Sequence, residues 1–369
     1  MIEMDVERLR SVGLTPAMAL VAICSQPVPE TDADDDTDAS TRSLVRVIEV
    51  HRETLQVHDG QHERSVRVLP RLARTLSEQD TAVAVGDWVV LVHDAHGQAW
   101  IHERIAPLSH IARRDADGRR HPVVSNVDTA LLVMGLDDDF NPRRLERFLT
   151  LVQGQGVTPV VVLTKADTVA PDAVDRAMAE LRSRISALVD VVAVNGMAPE
   201  TTRVLDAYLA PGQTVVLLGS SGAGKSTLTN ALAGMALQDT GAVREHDSRG
   251  KHTTTSRSLH RLPGGACVID TPGLRTLRPD ADESTLAAGF EDIASLALQC
   301  RFRDCRHGDE PGCAVRDGVP PDRLRNYQKL LREVRRDTLS AIERQQQLSQ
   351  WKARGREGQM RLKMKRGEV

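Results

Sequence analysis

The sequence predicts a multidomain protein with a small β-barrel, a central α/β domain built on a mostly parallel sheet, and a helical C-terminal domain. Three observations indicate this order. Short β-rich runs occupy residues 44–106, buried strands alternate with amphipathic helices from Asp128 onward, and the segment beyond Pro279 is helical, charged and holds three of the five cysteines. A chain of 369 residues also favours two or three domains at ~150 residues each.

The overall composition is that of an ordinary globular protein. Hydrophobic residues make up 40% and charged residues 27%, which excludes collagen-like and wholly disordered classes. Aromatic residues are only 2%, so we do not expect a surface of aromatic side chains that stack on bases. The longest apolar runs, residues 130–136 and 159–164, are far shorter than the ~20 residues that cross a bilayer, and no secretory signal is visible. We therefore expect a cytoplasmic protein.

Charge is distributed unevenly along the chain. Residues 1–43 carry nine acidic and three basic side chains, a net charge of −6, and residues 322–369 carry fourteen basic and six acidic side chains, a net charge of +8. The basic end suggests a polyanionic partner, with a solvated basic helix as the alternative. The acidic run at residues 32–38 lacks the glycine and the closing glutamate of a calcium loop. We therefore expect residues 1–43 to be a partly disordered acidic extension.

Five short β-rich runs predict the barrel, which we assign to residues 44–107. Turn signals such as Asp59-Gly60 separate them. The predicted strands are residues 44–50, 54–58, 64–69, 89–93 and 99–104. Five short strands in a segment of this length suit an oligonucleotide-binding (OB) barrel, and composition alone does not separate that barrel from an SH3-like one.

Alternating strands and helices predict a doubly wound α/β domain over residues 108–279. Continuous apolar strands separated by helices are typical of a mostly parallel sheet, whose ligands bind at the carboxyl ends of the strands. Helices are predicted to begin near Asn141, Pro171, Pro199 and Lys225. The predicted strands are residues 129–134, 159–163, 191–194, 214–218, 258–262 and 266–269.

A phosphate-binding loop follows the strand at residues 214–218. Its glycines allow backbone N–H groups to surround phosphate oxygens, Lys225 reaches the β- and γ-phosphates, and the Ser226 hydroxyl takes Mg²⁺. We include the next residue, Thr227, in the predicted nucleotide site. The sequence Gly219-Ser220-Ser221-Gly222-Ala223-Gly224-Lys225-Ser226 matches G-x-x-x-x-G-K-[ST] between a strand and a helix, the context that the motif requires.

The segment Thr164-Lys165-Ala166-Asp167 ends the strand at residues 159–163 and predicts that the base is guanine. In GTPases a strand-terminal N-K-x-D reads the base. Its aspartate accepts from the ring N–H and the exocyclic amine of guanine, a donor pair that adenine lacks, and its lysine packs over the ring plane. A wrong base leaves the polar groups of the site without hydrogen-bond partners, so the site discriminates strongly against that base. Thr164 replaces the usual asparagine, so the motif taken alone also fits a surface loop.

Two further elements complete the predicted nucleotide site. Asp270-Thr271-Pro272-Gly273 follows the strand at residues 266–269, where a D-x-x-G turn holds Mg²⁺ through Asp270 and offers the Gly273 N–H to the γ-phosphate. Residues 250–255 lie between the two phosphate elements, where a mobile loop supplies a threonine hydroxyl to Mg²⁺ in the presence of the γ-phosphate. We assign this role to Thr254.

These elements occur in an unusual order along the chain. The base reader Asp167 precedes the phosphate loop, whereas ordinary GTPases run from phosphate loop to switch loop, D-x-x-G and base reader. A circular permutation preserves such a site because the termini of a compact sheet lie close together. The second switch, which follows Gly273, then leads directly into the C-terminal domain.

Three cysteines and a histidine predict a zinc site in the C-terminal domain, residues 280–369. In the cytosol three thiolates and an imidazole form a closed tetrahedral structural site, and reduced cysteines in a loop are the alternative. The four candidate ligands are Cys300, Cys305, His307 and Cys313. A long helix is predicted to start at Pro320-Pro321-Asp322, with a packing stripe at Leu324, Tyr327, Leu331, Val334, Thr338 and Ala341.

Together these motifs resemble one family closely, the circularly permuted, ribosome-small-subunit-dependent GTPases called RsgA or YjeQ. The resemblance extends from about Leu44 to about Arg336 and rests also on Gly86-Asp87 and Asn126-Val127-Asp128. It implies an OB-type barrel, a circularly permuted P-loop GTPase domain and a helical zinc-binding domain. It also implies GTP and GDP, Mg²⁺ and Zn²⁺ as ligands, action in late maturation of the small ribosomal subunit, and contacts of both flanking domains with ribosomal RNA. We expect a monomer.

Several positions depart from the patterns of this family or of GTPases in general. Thr164 stands in place of asparagine, and Val194-Asn195-Gly196 occupies a loop where a serine is expected beside the base. Leu274 follows D-x-x-G, where many GTPases have a glutamine that orients the attacking water. We therefore predict slow intrinsic hydrolysis, with Lys225 and His252 as the catalytic candidates. His252 equally fits a residue that only contacts RNA or solvent.

Two other classes of protein remain open at this point. One is a non-catalytic RNA-binding protein with a vestigial phosphate loop, which is disfavoured because Lys225, Ser226, Asp270 and the threonine run are all present. The other is an ATPase with the same loop. The two are distinguished from a GTPase by competition of ATP and GDP for bound GTP.

Overall fold

The computed structural model describes residues 2–25, 42–94, 96–115, 118–196, 198, 200–234, 257–271 and 278–337. The chain divides into two units, Met1–Asp280 and Ala281–Val369. Within the described ranges, no helix is both long enough and apolar enough to span a membrane.

The N-terminal residues form an element that the sequence analysis did not predict. It consists of β1 (Ile2–Glu3), α1 (Val6–Arg10) and α2 (Pro16–Cys24). Asp5 and Thr15 cap the two helices, because their side chains accept hydrogen bonds from the first-turn N–H groups. The apolar side chains of this element share one core with the barrel, a cluster that includes Leu9, Val12, Leu14, Met18, Leu44, Trp88 and Ile105.

The barrel is closed and has OB-type topology. Its elements are β2 (Arg42–Val50), β3 (Leu55–His58), β4 (Glu63–Val68), α3 (Pro70–Glu78), β5 (Trp88–His93) and β6 (Ala99–Arg104). The strands pair in the order β2-β3-β4-β6-β5, β5 returns to β2, and β1 pairs with β2 from outside the ring. The parallel β4–β6 pairing gives the Greek-key order of an OB barrel. All five predicted strands are confirmed, whereas α3 was not predicted.

The second part of the Met1–Asp280 unit is a mostly parallel sheet with helices on both faces. The order β11-β10-β9-β12-β14 is parallel, and β13 adds an antiparallel strand beside β14. The six predicted strands and the four predicted helix starts are confirmed. The elements are β9 (Thr129–Gly135), α4 (Pro142–Val152), β10 (Thr158–Thr164), α5 (Pro171–Arg182), β11 (Asp190–Ala193), α6 (Glu200–Leu205), β12 (Thr214–Gly219), α7 (Lys225–Ala233), β13 (Ser258–Arg261) and β14 (Cys267–Asp270).

Alternate residues of the central strands are buried in two different cores. In β9, Leu132 and Met134 belong to one apolar cluster, whereas Leu131 and Val133 belong to another. Successive side chains of a strand point to opposite faces, so both faces of this sheet are covered. Because helices cover both faces, polar loops that bind ligands lie at the edge formed by the carboxyl ends of the strands.

A fully buried arginine joins the N-terminal element, the barrel and the sheet. The Arg46 guanidinium donates to the Val12 carbonyl (2.6 Å), to Thr214 Oγ1 (2.8 Å) and to the Asn126 carbonyl (2.8 Å). It also donates to the Gly86 carbonyl at 3.3 Å. Burial lowers the pKa of Arg46, and every one of these acceptors is uncharged. Gly86 and Asn126 are part of the family resemblance, and their carbonyls take part in the contacts through which Arg46 connects the barrel to the sheet.

We expect Arg46→Leu to lower the free energy of unfolding by more than about 3 kcal/mol, because each buried acceptor left without a donor costs about 1–3 kcal/mol. Urea denaturation followed by far-UV circular dichroism measures the change. Arg52→Leu is the control, because Arg52 is exposed at the turn after β2. Equal midpoints for the two variants would show that the buried arginine does not hold these parts together.

A basic hairpin that the sequence analysis did not predict follows the barrel and precedes the sheet along the chain. It consists of β7 (His110–Arg114) and β8 (Arg120–Ser125). The chain that follows the predicted second switch pairs with it, since the Arg114 N–H donates to the Arg278 carbonyl at 2.9 Å. The Asp280 carboxylate lies 2.7 Å from Arg114 and 2.5 Å from Arg120. Residues 278–280, which follow the predicted second switch, are therefore held at a defined position within the Met1–Asp280 unit.

All the secondary-structure elements described in the Ala281–Val369 unit are helices. It consists of α8 (Glu283–Gly289), α9 (Glu291–Ala297), α10 (Ala314–Gly318) and α11 (Pro321–Asp337). The start of the long helix is confirmed at Pro321. Leu324, Tyr327, Leu331 and Val334 contribute to one apolar cluster, as the stripe predicts. The remaining stripe positions, Thr338 and Ala341, lie outside the described residues.

Candidate functional site

The phosphate loop runs from the end of β12 to the start of α7. Gly222 and Gly224 have positive φ values of 81° and 90°, the left-handed region that favours glycine. Gly219 has no room for a side chain, because a Cβ there would lie 2.4 Å from the Val133 carbonyl oxygen. Lys225 is buried and its Nζ donates to the carbonyls of Gly219 (3.1 Å) and Ser220 (2.7 Å). The ammonium is thus held inside the loop, where phosphate oxygens bind in this motif.

Two carboxylates contribute negative potential at Lys225. Burial lowers the pKa of Lys225, and the nearby Asp270 and Asp139 carboxylates oppose that shift. Asp270 ends β14 and pairs with Leu217 of β12, so the sheet register brings it beside the phosphate loop. Thr271 Oγ1 donates to the Leu217 carbonyl at 2.6 Å and ties the same two strands together. The sheet therefore brings Asp270 and the phosphate loop to one edge, as the sequence predicts.

The predicted base-reading segment lies at the same edge, at the end of β10. Lys165 has a positive φ of 60°, and Asp167 is exposed in a short 3-10 helix, Ala166–Thr168. The Thr164 hydroxyl donates to the Ala223 carbonyl of the phosphate loop at 2.7 Å. The Ala166 N–H donates to the Val194 carbonyl at 3.3 Å, so the loop after β11 also reaches this edge. The base-reading segment and the phosphate loop are in direct contact.

Sequence reasoning missed two residues at this edge, Asp137 and Asp139. Both lie in the loop after β9, and they contact Lys165 and Ser220 respectively. The available signal was a run of aspartates, residues 137–139, directly after a buried strand at the carboxyl edge of a parallel sheet. Three further predicted site residues, His252, Thr254 and Gly273, lie outside the described residues.

The residues present suit Mg²⁺. This ion prefers oxygen ligands and retains several waters, so it needs only one or two protein oxygens besides those of the phosphates. The Ser226 hydroxyl in the first turn of α7 and the buried Asp270 carboxylate offer such oxygens at the phosphate-loop edge.

The Cys/His cluster has the dimensions of a tetrahedral zinc site. Its four ligand atoms, from Cys300, Cys305, His307 and Cys313, lie within 4.8 Å of one another. His307 Nδ1 is 3.7 Å from Cys300 Sγ and 3.6 Å from Cys313 Sγ. Zn–S and Zn–N bonds of about 2.3 and 2.0–2.1 Å in a tetrahedron require an S–N edge of about 3.6 Å. The residues therefore fit Zn²⁺ as the sequence analysis expects.

The fold and these loops define a class of protein, the circularly permuted P-loop GTPases that carry an OB-type barrel. The RsgA GTPase family model matches residues 102–279. The small ribosomal subunit biogenesis GTPase RsgA of Xanthomonas campestris pv. campestris (strain B100) is 46% identical over 299 residues, 78% of this chain and 80% of that protein. The protein of the same name from Xanthomonas oryzae pv. oryzae (strain PXO99A) is 45% identical over the same shares. The chain belongs to the RsgA GTPase family.

Solved structures agree with this assignment. YjeQ from Thermotoga maritima superposes with a TM-score of 0.57 at 25% identity, covering 79% of this chain and 98% of that one. YloQ, described as a circularly permuted GTPase, has a TM-score of 0.53 at 23% identity, covers 84% of this chain and 100% of its own, and shows the fold alone. The predicted fold class and the family resemblance are confirmed.

Proposed function

We propose that this chain hydrolyses GTP to GDP and phosphate and acts in late maturation of the small ribosomal subunit, in the cytoplasm and as a monomer. The observation that carries the proposal is the contact between a phosphate loop and a guanine-reading segment at one edge of the sheet. The relatives are named small ribosomal subunit biogenesis GTPases, which supports the subunit as the partner.

The phosphate side of the site would consist of residues 219–227 and Asp270. Backbone N–H groups and the Lys225 ammonium would bind the phosphates, and the Gly273 N–H would reach the γ-phosphate. Ser226, Thr254 and Asp270 would hold Mg²⁺, which neutralises charge that develops on the transferred phosphoryl group.

The base side would consist of residues 164–167, and the zinc ligands would act structurally. Lys165 would pack over the guanine ring, and Asp167 would accept from the ring N–H and the amine. Thr164 and Ala166 would hold this segment against the phosphate loop and the loop after β11. The four Cys/His ligands would hold Zn²⁺ in a closed site without an open catalytic position.

We expect Asp167→Asn to weaken GTP binding by roughly 10- to 100-fold, because hydrogen bonds to a charged group contribute about 1.5–3 kcal/mol each. The variant should instead favour xanthosine triphosphate, whose exocyclic oxygen accepts a hydrogen bond from the new amide. Titration with fluorescent nucleotides measures both affinities. Asp175→Asn is the control because Asp175 is exposed on α5, away from the base-reading segment. Unchanged GTP affinity in Asp167→Asn would remove Asp167 from the base site.

Competition binding separates a GTPase from the two rival classes. Labelled GTP should be displaced by unlabelled GDP and not by a similar concentration of ATP. Equal displacement by ATP would favour an ATPase, and no binding of labelled GTP would favour a vestigial site.

The basic face of α11 is our proposed contact with ribosomal RNA. Arg323 and Arg335 of this helix pair with carboxylates of the same unit. Arg323 is buried against Asp292 (2.7 Å) and stacks over Phe290, and Arg335 pairs with Glu283 (2.8 Å). Arg323, whose side chain is buried in this contact, is therefore unsuited to bind phosphate. Exposed basic side chains recur at spacings of four, three and four residues along one face, at Arg325, Lys329, Arg332 and Arg336.

A further inference from the structure

The loop between β9 and α4, residues 136–141, leaves the sheet between the two proposed nucleotide loops. β9 pairs with β10 on one side and with β12 on the other, so its neighbours are the base-reading segment and the phosphate loop. Two carboxylates of the loop contact one neighbour each. Asp137 Oδ2 lies 2.5 Å from Lys165 Nζ, and Asp139 Oδ1 accepts a hydrogen bond of 2.6 Å from Ser220 Oγ.

The two carboxylates are also linked to each other. The Asp139 N–H donates to Asp137 Oδ1 at 3.2 Å, and the Gly135 N–H donates to Asp139 Oδ2 at 3.2 Å. A Cβ at Gly135 would lie 2.4 Å from Asp137 Oδ1, so a side chain there would displace this carboxylate. A continuous series of polar contacts therefore runs from Lys165 through Asp137 and Asp139 to Ser220.

Neighbouring positive charges keep this series in place. The Arg144 guanidinium contacts the Asp139 carboxylate and its backbone carbonyl. The pKa of the Asp137 carboxyl is lowered. Partial burial acts to raise it, but Lys165 and the Asp139 N–H together outweigh that effect. Asp137 is therefore ionised at neutral pH and holds the Lys165 ammonium.

The threonine at position 164 offers fewer hydrogen-bonding groups for a contact between the two loops than the usual asparagine. A threonine hydroxyl has one proton to donate, and Thr164 donates it to the Ala223 carbonyl of the phosphate loop at 2.7 Å. The side chain is only 2% exposed, so this donor is committed. The asparagine that is usual at this position carries two donors and an acceptor. The series through Asp137 and Asp139 supplies a link that one hydroxyl does not.

We propose that Asp137 and Asp139 are positioning residues that hold Lys165 of the base-reading segment and Ser220 of the phosphate loop in one fixed relation. This inference rests on the proposed binding of GTP. The Asp137 and Lys165 side chains are 42% and 29% exposed, and ion pairs so exposed contribute little to stability. The loss of the pair should therefore appear in nucleotide release and leave unfolding unchanged. Without the ion pair, the Lys165 side chain is free and must be ordered when nucleotide binds, which weakens the bound state. We therefore expect about 3- to 10-fold faster release of the nucleotide.

Stopped-flow release of a fluorescent GDP from the full chain tests the proposal. Asp137→Asn and Asp139→Asn should each release GDP about 3- to 10-fold faster than the unchanged protein. Asp138→Asn should release it at the unchanged rate. Asp138 is a matched control because it is exposed in the middle of the same aspartate run, and the variant loses the same charge.

Inorganic pyrophosphate distinguishes the two residues and gives a readout that a general structural defect would not. Asp139 acts on the phosphate loop, so Asp139→Asn should weaken competition by pyrophosphate. Asp137 acts on the base side, so Asp137→Asn should leave that competition unchanged. In the double variant, release should accelerate by less than the product of the single effects, because the two residues act in one series.

Failure of the unchanged protein to bind fluorescent GDP would overturn the proposed function itself. Normal binding with equal release rates in Asp137→Asn and Asp138→Asn, or slower release in Asp137→Asn, would overturn the positioning role alone. If Asp139→Asn does not fold, Asp137→Asn decides, since its side chain is partly exposed and its melting temperature is measured alongside.

Discussion

Stripping zinc from the protein is expected to unfold the C-terminal unit and to leave nucleotide binding by the central sheet largely intact. The described part of this unit, residues 281–337, is short, and chains of this size bury too little apolar surface to be very stable without help. The ligands lie in and at the end of the long connection between α9 and α10, which has no helix or strand. Structural zinc contributes about 10–16 kcal/mol of apparent free energy in zinc-finger peptides, more than such a core supplies.

Hydrogen exchange measured by mass spectrometry, with and without a strong chelator, locates the unfolding. Protection should be lost across residues 281–337 and kept in β9, β10 and β12, while fluorescent GDP still binds. Cys305→Ser should reproduce the loss without chelator. Cys24→Ser should not, because Cys24 is exposed at the end of α2, far along the chain from the cluster. Near-zero zinc in freshly purified protein would count decisively against the site.

The small ribosomal subunit is expected to accelerate GTP hydrolysis by about 10³- to 10⁵-fold, the range that a partner surface supplies in related systems. Leu274 follows D-x-x-G and has no polar group to orient the attacking water. The predicted second switch leads directly into the C-terminal unit, so docking of that unit on RNA would order the switch. By linkage, hydrolysis then weakens the docking.

Turnover with and without purified small subunits, at two salt concentrations, measures this activation. Phosphate contacts release counterions, so docking should weaken steeply as salt rises, with a slope of about 0.7–0.9 for each contact. Arg325→Glu should reduce the stimulation and the salt slope. Arg182→Glu is the control, because it makes the same charge change at an exposed position of α5. It should reduce neither the stimulation nor the salt slope. Equal turnover rates in all conditions would defeat the proposed activation.

The same assay examines His252. Loss of stimulation in His252→Ala with GTP binding preserved would favour His252 as the residue that orients the water. Full stimulation in that variant would leave it a residue that contacts RNA or solvent. His252 lies outside the described residues, so only the assay separates these roles.

The fold class, the strands and the contiguous motifs were predictable from local patterns in the sequence. Apolar strands such as β9 and β12 are recognised from local composition, and the phosphate loop is one uninterrupted run of eight residues, 219–226. The clustering of Cys300, Cys305, His307 and Cys313 was also predictable, because four candidate ligands within a short segment need no knowledge of the fold. The order of the motifs along the chain was sufficient to predict the circular permutation.

Tertiary structure decided which polar side chains are buried and what they contact. In the sequence, Arg46 is one polar residue in a predicted strand, yet its side chain is fully buried. Its hydrogen-bond partner Val12 lies 34 positions away along the chain, and its partner Thr214 lies 168 positions away. Arg323 has the spacing of an exposed helical arginine but lies against Asp292.

The link between the two nucleotide loops was likewise invisible from the sequence. Asp139 and Ser220 belong to different strand–loop units, as do Asp137 and Lys165, and only the parallel order β10-β9-β12 brings each pair together. The spacing of apolar residues along an element indicates which of its faces is buried. Burial of apolar surface is non-directional, so this indication does not require the identity of the partner residues. Hydrogen bonds and ion pairs are directional and depend on the partner's position, and that position is known only once the strands have paired.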